Sequence, residues 1–87
     1  MTTRIFKYPI PRNAPTEMPA GARILSVGYQ NPEIVAWAIV DEDAPTVKRR
    51  LVVCPTGAAD VPSKVEFVGT IQTPGGLVWH VFDLGRE

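Results

Sequence analysis

Glu33-Ile34-Val35-Ala36-Trp37-Ala38-Ile39-Val40 is apolar at both parities. Strand side chains alternate between faces, so Val35, Trp37 and Ile39 share one face and Ile34, Ala36, Ala38 and Val40 the other. Leu77–Phe82 repeats the pattern, with Leu77, Trp79 and Val81 on one side and Val78, His80 and Phe82 on the other. A lone antiparallel sheet shows water one polar face, so strands apolar on both sides need a second layer. These two stretches predict a layered β fold.

Proline and glycine cut the rest of the chain into pieces of strand length. About six short, mainly antiparallel strands are expected: Thr3–Tyr8, Ala22–Gln30, Glu33–Val40, Val47–Cys54, Val65–Thr73 and Leu77–Asp83. Asn31-Pro32 joins one hairpin. Pro74-Gly75-Gly76 joins another, with Pro suited to the first turn position and Gly to a positive φ. Residues 12–21 read as a loop, Asp41–Pro45 as an acidic turn, and Pro55–Pro62 as a loop with at most one helical turn. The expectation is a single all-β domain over residues 1–87, a small sandwich or barrel-like sheet.

At 87 residues with 45% hydrophobic content, the composition is globular. A domain of this size has a thin core, and two doubly apolar strands ask for more cover, so a homodimer is expected. Nine basic and nine acidic residues balance, which removes the broad electrostatic reason to bind duplex nucleic acid or an anionic membrane. The longest apolar run, Ile34 to Val40, falls far below the ~18 residues of a membrane span. One Cys and one His cannot furnish a zinc site, so no metal or cofactor is expected. The lone Cys54, without an internal disulfide partner, and an N-terminus lacking a signal-peptide pattern suggest the cytoplasm.

Candidate ligand groups are scattered. Lys48-Arg49-Arg50 is the densest positive cluster, but alternation sets Arg49 opposite to Lys48 and Arg50. Either arginine suits a rim ion pair with Asp41, Glu42 or Asp43, and Arg50 or Arg49 could fork onto a phosphate. Pro55-Thr56-Gly57-Ala58-Ala59 is a small-residue loop after a strand, and Thr56 and Gly57 could cradle an anion. Tyr8, Tyr29, Trp37 and Trp79 could stack a base, although both tryptophans sit in core-like strands. His80 could contact a ligand. A Cys54–His80 dyad lacks any local signature, and no nucleophile–base–orienter set is legible, so an enzyme is not expected.

Lys7-Tyr8-Pro9, Met18-Pro19-Ala20-Gly21-Ala22, Trp37-Ala38-Ile39-Val40-Asp41, Thr56-Gly57, Gly69-Thr70-Ile71-Gln72 and His80-Val81-Phe82 together resemble a family of small phage and prophage proteins. The resemblance spans nearly the whole chain. Where that family often has Gly-Thr-Gly-His, this chain has Pro55-Thr56-Gly57-Ala58. By analogy with phage accessory proteins, the resemblance implies an anti-defence sponge that sequesters a cyclic di- or trinucleotide, or a related nucleotide signal, without cleaving it. Tyr8 would then stack a base, Arg50 engage phosphate and Thr56-Gly57 cradle it, with Gln30, Trp37 and His80 lining the pocket. The alternative is a protein that inhibits or scaffolds a protein partner by direct contact.

Overall fold

The computed structural model describes residues 2–87 and is all-β, with seven strands among those residues. They are β1 (Thr3–Pro9), β2 (Thr16–Pro19), β3 (Arg23–Gln30), β4 (Glu33–Asp41), β5 (Thr46–Pro55), β6 (Glu66–Gln72) and β7 (Val78–Arg86). A three-stranded sheet runs β1-β4-β3 and a four-stranded sheet runs β2-β5-β7-β6, with every pairing antiparallel. The second layer demanded by β4 is supplied within the chain, as a sandwich.

The even face of β4 turns inward. Ala36, Ala38 and Val40 join Met18, Ala22 and Leu51 in the buried core, with Tyr8, Ile10, Ile24 and Val27 packed against it. Small side chains at 36 and 38 let the two sheets approach closely. The sheets come close where Gly69 of β6 meets β3. A Cβ built at Gly69 would lie 2.9 Å from Val27 Cγ2.

One expectation needs correction. Residues 16–19, read as loop, form β2, which pairs with β5 from Thr16↔Arg49 to Pro19↔Thr46. Pro15 and Pro19 disguise it, but a short edge strand tolerates proline, and burial of Met18 anchors it. The loop 55–62 stays within the expected limit of one helical turn: it holds none among the described residues, and Asp60 takes a positive φ there. The two expected hairpins do form. At the second, Gly76 N–H donates to Thr73 O (3.3 Å), with Gly75 at φ 93°.

Arg49 locks the core's rim. Its Nε and Nη2 donate to Asp83 Oδ1 (3.1 Å) and Oδ2 (2.6 Å), and Nη1 donates to Ala22 O (2.6 Å). The guanidinium therefore ties β5 to β7 and to the turn leading into β3. Its partner is not the acidic turn: Glu42 pairs instead with Arg4 at 2.8 Å.

Candidate functional site

The structure distributes the sequence-marked residues over three surfaces. Arg50, Thr56 and His80 lie on the outer face of the four-stranded sheet, away from the buried Leu51, Val81 and Asp83, with Gly57 at the turn beyond. His80 is held from both sides. Its Nε2 lies 2.8 Å from Thr56 Oγ1 and its Nδ1 lies 3.0 Å from Thr70 Oγ1. A threonine hydroxyl both donates and accepts, so either tautomer is satisfied. Cys54 is directly opposite His80 in the β5–β7 register, but both ring nitrogens already have partners. Gly57, at φ 92°, turns the chain after β5, and Ala58 N–H donates to Pro55 O (3.1 Å). Arg50 sits at the other end of the face, 3.7 Å from Glu87 Oε2.

Gln30 and Trp37 occupy the outer face of the opposite sheet. Trp37 lies over Gly28, where a Cβ would come within 2.9 Å of the indole Cζ3. Lys7 Nζ donates to Gln30 Oε1 (2.7 Å) across β4, and beneath this bridge Val35 is fully buried. Tyr8 points inward between the sheets, and burial raises its phenol pKa above the ordinary value. These seven residues do not converge on one site within a single chain.

A different feature does gather chemistry. At one end of the sandwich a cleft of ≈ 520 Å³ opens between the sheets, lined by Ile10, Pro11, Arg12, Asn13, Pro32, Glu33, Ile34, Val53 and Trp79. A smaller hollow of ≈ 220 Å³ adjoins it, sharing Arg12, Pro32, Ile34 and Trp79 and adding Tyr29, Thr73 and Pro74. The chain builds this mouth by changing sheets. Ile10 N–H still donates to Ile34 O (2.9 Å); Pro11 offers no donor, and the segment then leaves β1's sheet for β2 in the other. Arg12 is exposed on this crossing and has no ion-pair or hydrogen-bond partner among the described residues.

The opposite wall is fixed. Trp79 Nε1–H donates to Thr73 Oγ1 (3.1 Å), which donates in turn to Leu77 O (3.3 Å). Tyr29 O–H donates to Asn31 Oδ1 (2.9 Å) at the turn whose Asn31–Pro32 bond is cis. A held indole and an unpaired guanidinium thus face one cleft of small-molecule size, with a second aromatic in the adjoining hollow. Aromatic faces accept planar rings, and guanidinium forks onto phosphate or carboxylate. Sequence reading named Trp79 and Tyr29 as possible stacking residues but passed over Arg12, which lies in an unremarkable loop. Among the described residues, no cluster of His, Cys, Asp and Glu could hold a metal ion, and no helix is long and apolar enough to cross a membrane.

The chain belongs to the DUF7352 family, described as a domain of unknown function, whose model matches residues 1–87. No curated protein and no solved structure matches it.

Proposed function

We propose that this domain is a binding module that sequesters a nucleotide-type signal in the end cleft. The observation carrying this reading is the pairing of Trp79 with the unpartnered Arg12 across a cleft of ≈ 520 Å³. In this reading the base stacks on the indole, Arg12 engages phosphate, and Ile34 and Val53 supply the apolar floor. A cyclic di- or trinucleotide fits the chemistry, with a second base toward Tyr29 in the adjoining hollow. The resemblance to small phage proteins gives such binding a purpose, as an anti-defence sponge acting without cleavage in the host cytoplasm. Tyr8, Gln30, Trp37, Arg50, Thr56, Gly57 and His80 have no part in this cleft.

Purified protein is incubated with cyclic di- and trinucleotides, and its melting temperature is followed. A true ligand at about 100 times its Kd adds about 2.7 kcal/mol of stability. Arg12→Ala weakens binding by about 10- to 100-fold, the range for a hydrogen bond to a charged group. Absence of any shift across the panel refutes the nucleotide reading. Turnover of a bound nucleotide refutes sequestration.

A second reading, direct contact with a protein partner, is favoured by one observation. Phe67, 54% exposed, meets Phe82 edge-on at 5.7 Å on the outer face of the four-stranded sheet. Exposed aromatic side chains are common anchors of protein interfaces. Co-purification of a stoichiometric protein that Phe67→Ser releases would favour this reading.

A further inference from the structure

The exposed edge of β1 is a strand that the fold leaves without a neighbour. Ile10 N–H to Ile34 O (2.9 Å) and Glu42 N–H to Thr2 O (3.0 Å) bracket the β1–β4 ladder. With the register Thr3↔Asp41 to Pro9↔Val35 between them, the even-numbered β1 residues form the hydrogen-bonded pairs. The N–H and C=O groups of Thr3, Ile5 and Lys7 therefore point away from β4, toward the open side. Pro9, next in that series, has no N–H to offer.

Natural sheets guard such edges with charge, often an outward lysine. Here both available cations are drawn back over their own sheet. Lys7 Nζ reaches Gln30 Oε1 (2.7 Å) and Arg4 Nε reaches Glu42 Oε1 (2.8 Å). The apolar side chains between them stay open, with Ile5 60% and Phe6 40% exposed.

We propose that β1 of a second copy completes this edge, joining two three-stranded sheets into one continuous sheet about a two-fold axis through Ile5. The free backbone groups select the register. Pairing Ile5 with Ile5 of the second copy, and Thr3 with Lys7 of the second copy, uses every outward N–H of the strand and leaves Pro9 outside. A register shifted to set Phe6 on the axis would place Thr3 opposite Pro9 and orphan a carbonyl. The chosen register also brings no two like charges directly opposite one another. This self-complementarity makes the occupant a second copy. The inference stands apart from the cleft and its ligand.

Sedimentation of the whole chain at tens of micromolar shows a dimer on this account. Ile5→Cys in a Cys54→Ser background cross-links under mild oxidation, because Cα atoms of a hydrogen-bonded antiparallel pair lie about 5.5 Å apart, within disulfide reach. Phe6→Cys in the same background does not. Of the strand's backbone groups Ile5→Pro removes an outward N–H alone, so it keeps the strand spectrum while weakening dimerisation by at least roughly 30-fold. The cysteine pair decides independently of how Ile5→Pro folds. A wild-type monomer overturns the proposal, as does a dimer that cross-links through residue 6 or through neither position. An edge occupied by a strand of another protein overturns it as well.

Discussion

Arg49 and Asp83 form a two-pronged ion pair inside the sandwich, with side chains 17% and 3% exposed and the shorter contact at 2.6 Å. Around it the backbone is arranged to serve the carboxylate. Gly85 takes φ 88° beside the β5–β7 bulge, and its N–H donates to Asp83 Oδ1 at 2.8 Å. The pair, the bulge and the Ala22 carbonyl form one polar knot between three chain segments.

Removing one member of such a pair strands the other as a buried charge. Asp83→Ala is expected to cost about 3–5 kcal/mol in denaturant unfolding. Replacing both, as Arg49→Met with Asp83→Leu, recovers much of that loss, because an apolar pair avoids the desolvation that the ions suffer. A double variant as unstable as the single one would show that the pair's contribution goes beyond mutual neutralisation.

Thr16, opposite Arg49 in the β2–β5 register, buries its hydroxyl without a hydrogen-bond partner among the described residues. Thr16→Val keeps the shape and removes the orphan oxygen. Unfolding measurements should show a gain of about 1 kcal/mol, and a loss would mean that the hydroxyl has a partner in solution.

Gly69 marks where the sheets touch. Gly69→Ala drives a methyl into Val27 Cγ2, which lies 2.9 Å from the built Cβ, and should cost about 1–3 kcal/mol. Val27→Ala on top of it should restore part of the loss. Additive losses in the double variant would place the strain elsewhere.

Tyr8 contributes a pH dependence at the alkaline end. Burial raises its pKa in the folded state, so the folded chain holds the phenol proton more tightly than the unfolded chain does. The stabilisation is complete below the unfolded value of about 10 and is lost as pH rises from there through the higher folded value. Tyr8→Phe should therefore flatten the alkaline decline in stability that sets in above about pH 10. An identical decline in both proteins would assign it to other groups.

Much of the sheet was legible because periodicity is local. The double apolarity of Glu33–Val40 announced a second layer, and the Pro-Gly-Gly turn announced the β6–β7 hairpin. β2 was hidden because its four residues end on Pro19 and follow Pro15, and only pairing with β5 makes them a strand. The same logic explains the site. Alternation separated Arg49 from Arg50 and Trp79 from His80 within their own strands, but it cannot say which face meets a cleft. Arg12, Ile34 and Trp79 converge only because the chain changes sheets after Ile10, and no spacing rule brings those positions together.

The cleft itself can be read out optically, since the chain has two tryptophans. Trp37→Phe leaves Trp79 as the sole indole, and its fluorescence is titrated with cyclic di- and trinucleotides. The account predicts saturable quenching by at least one of them, weakened about 10-fold or more by Arg12→Ala and unchanged by Arg50→Ala. Quenching by none, or quenching that ignores Arg12 and follows Arg50, would contradict it.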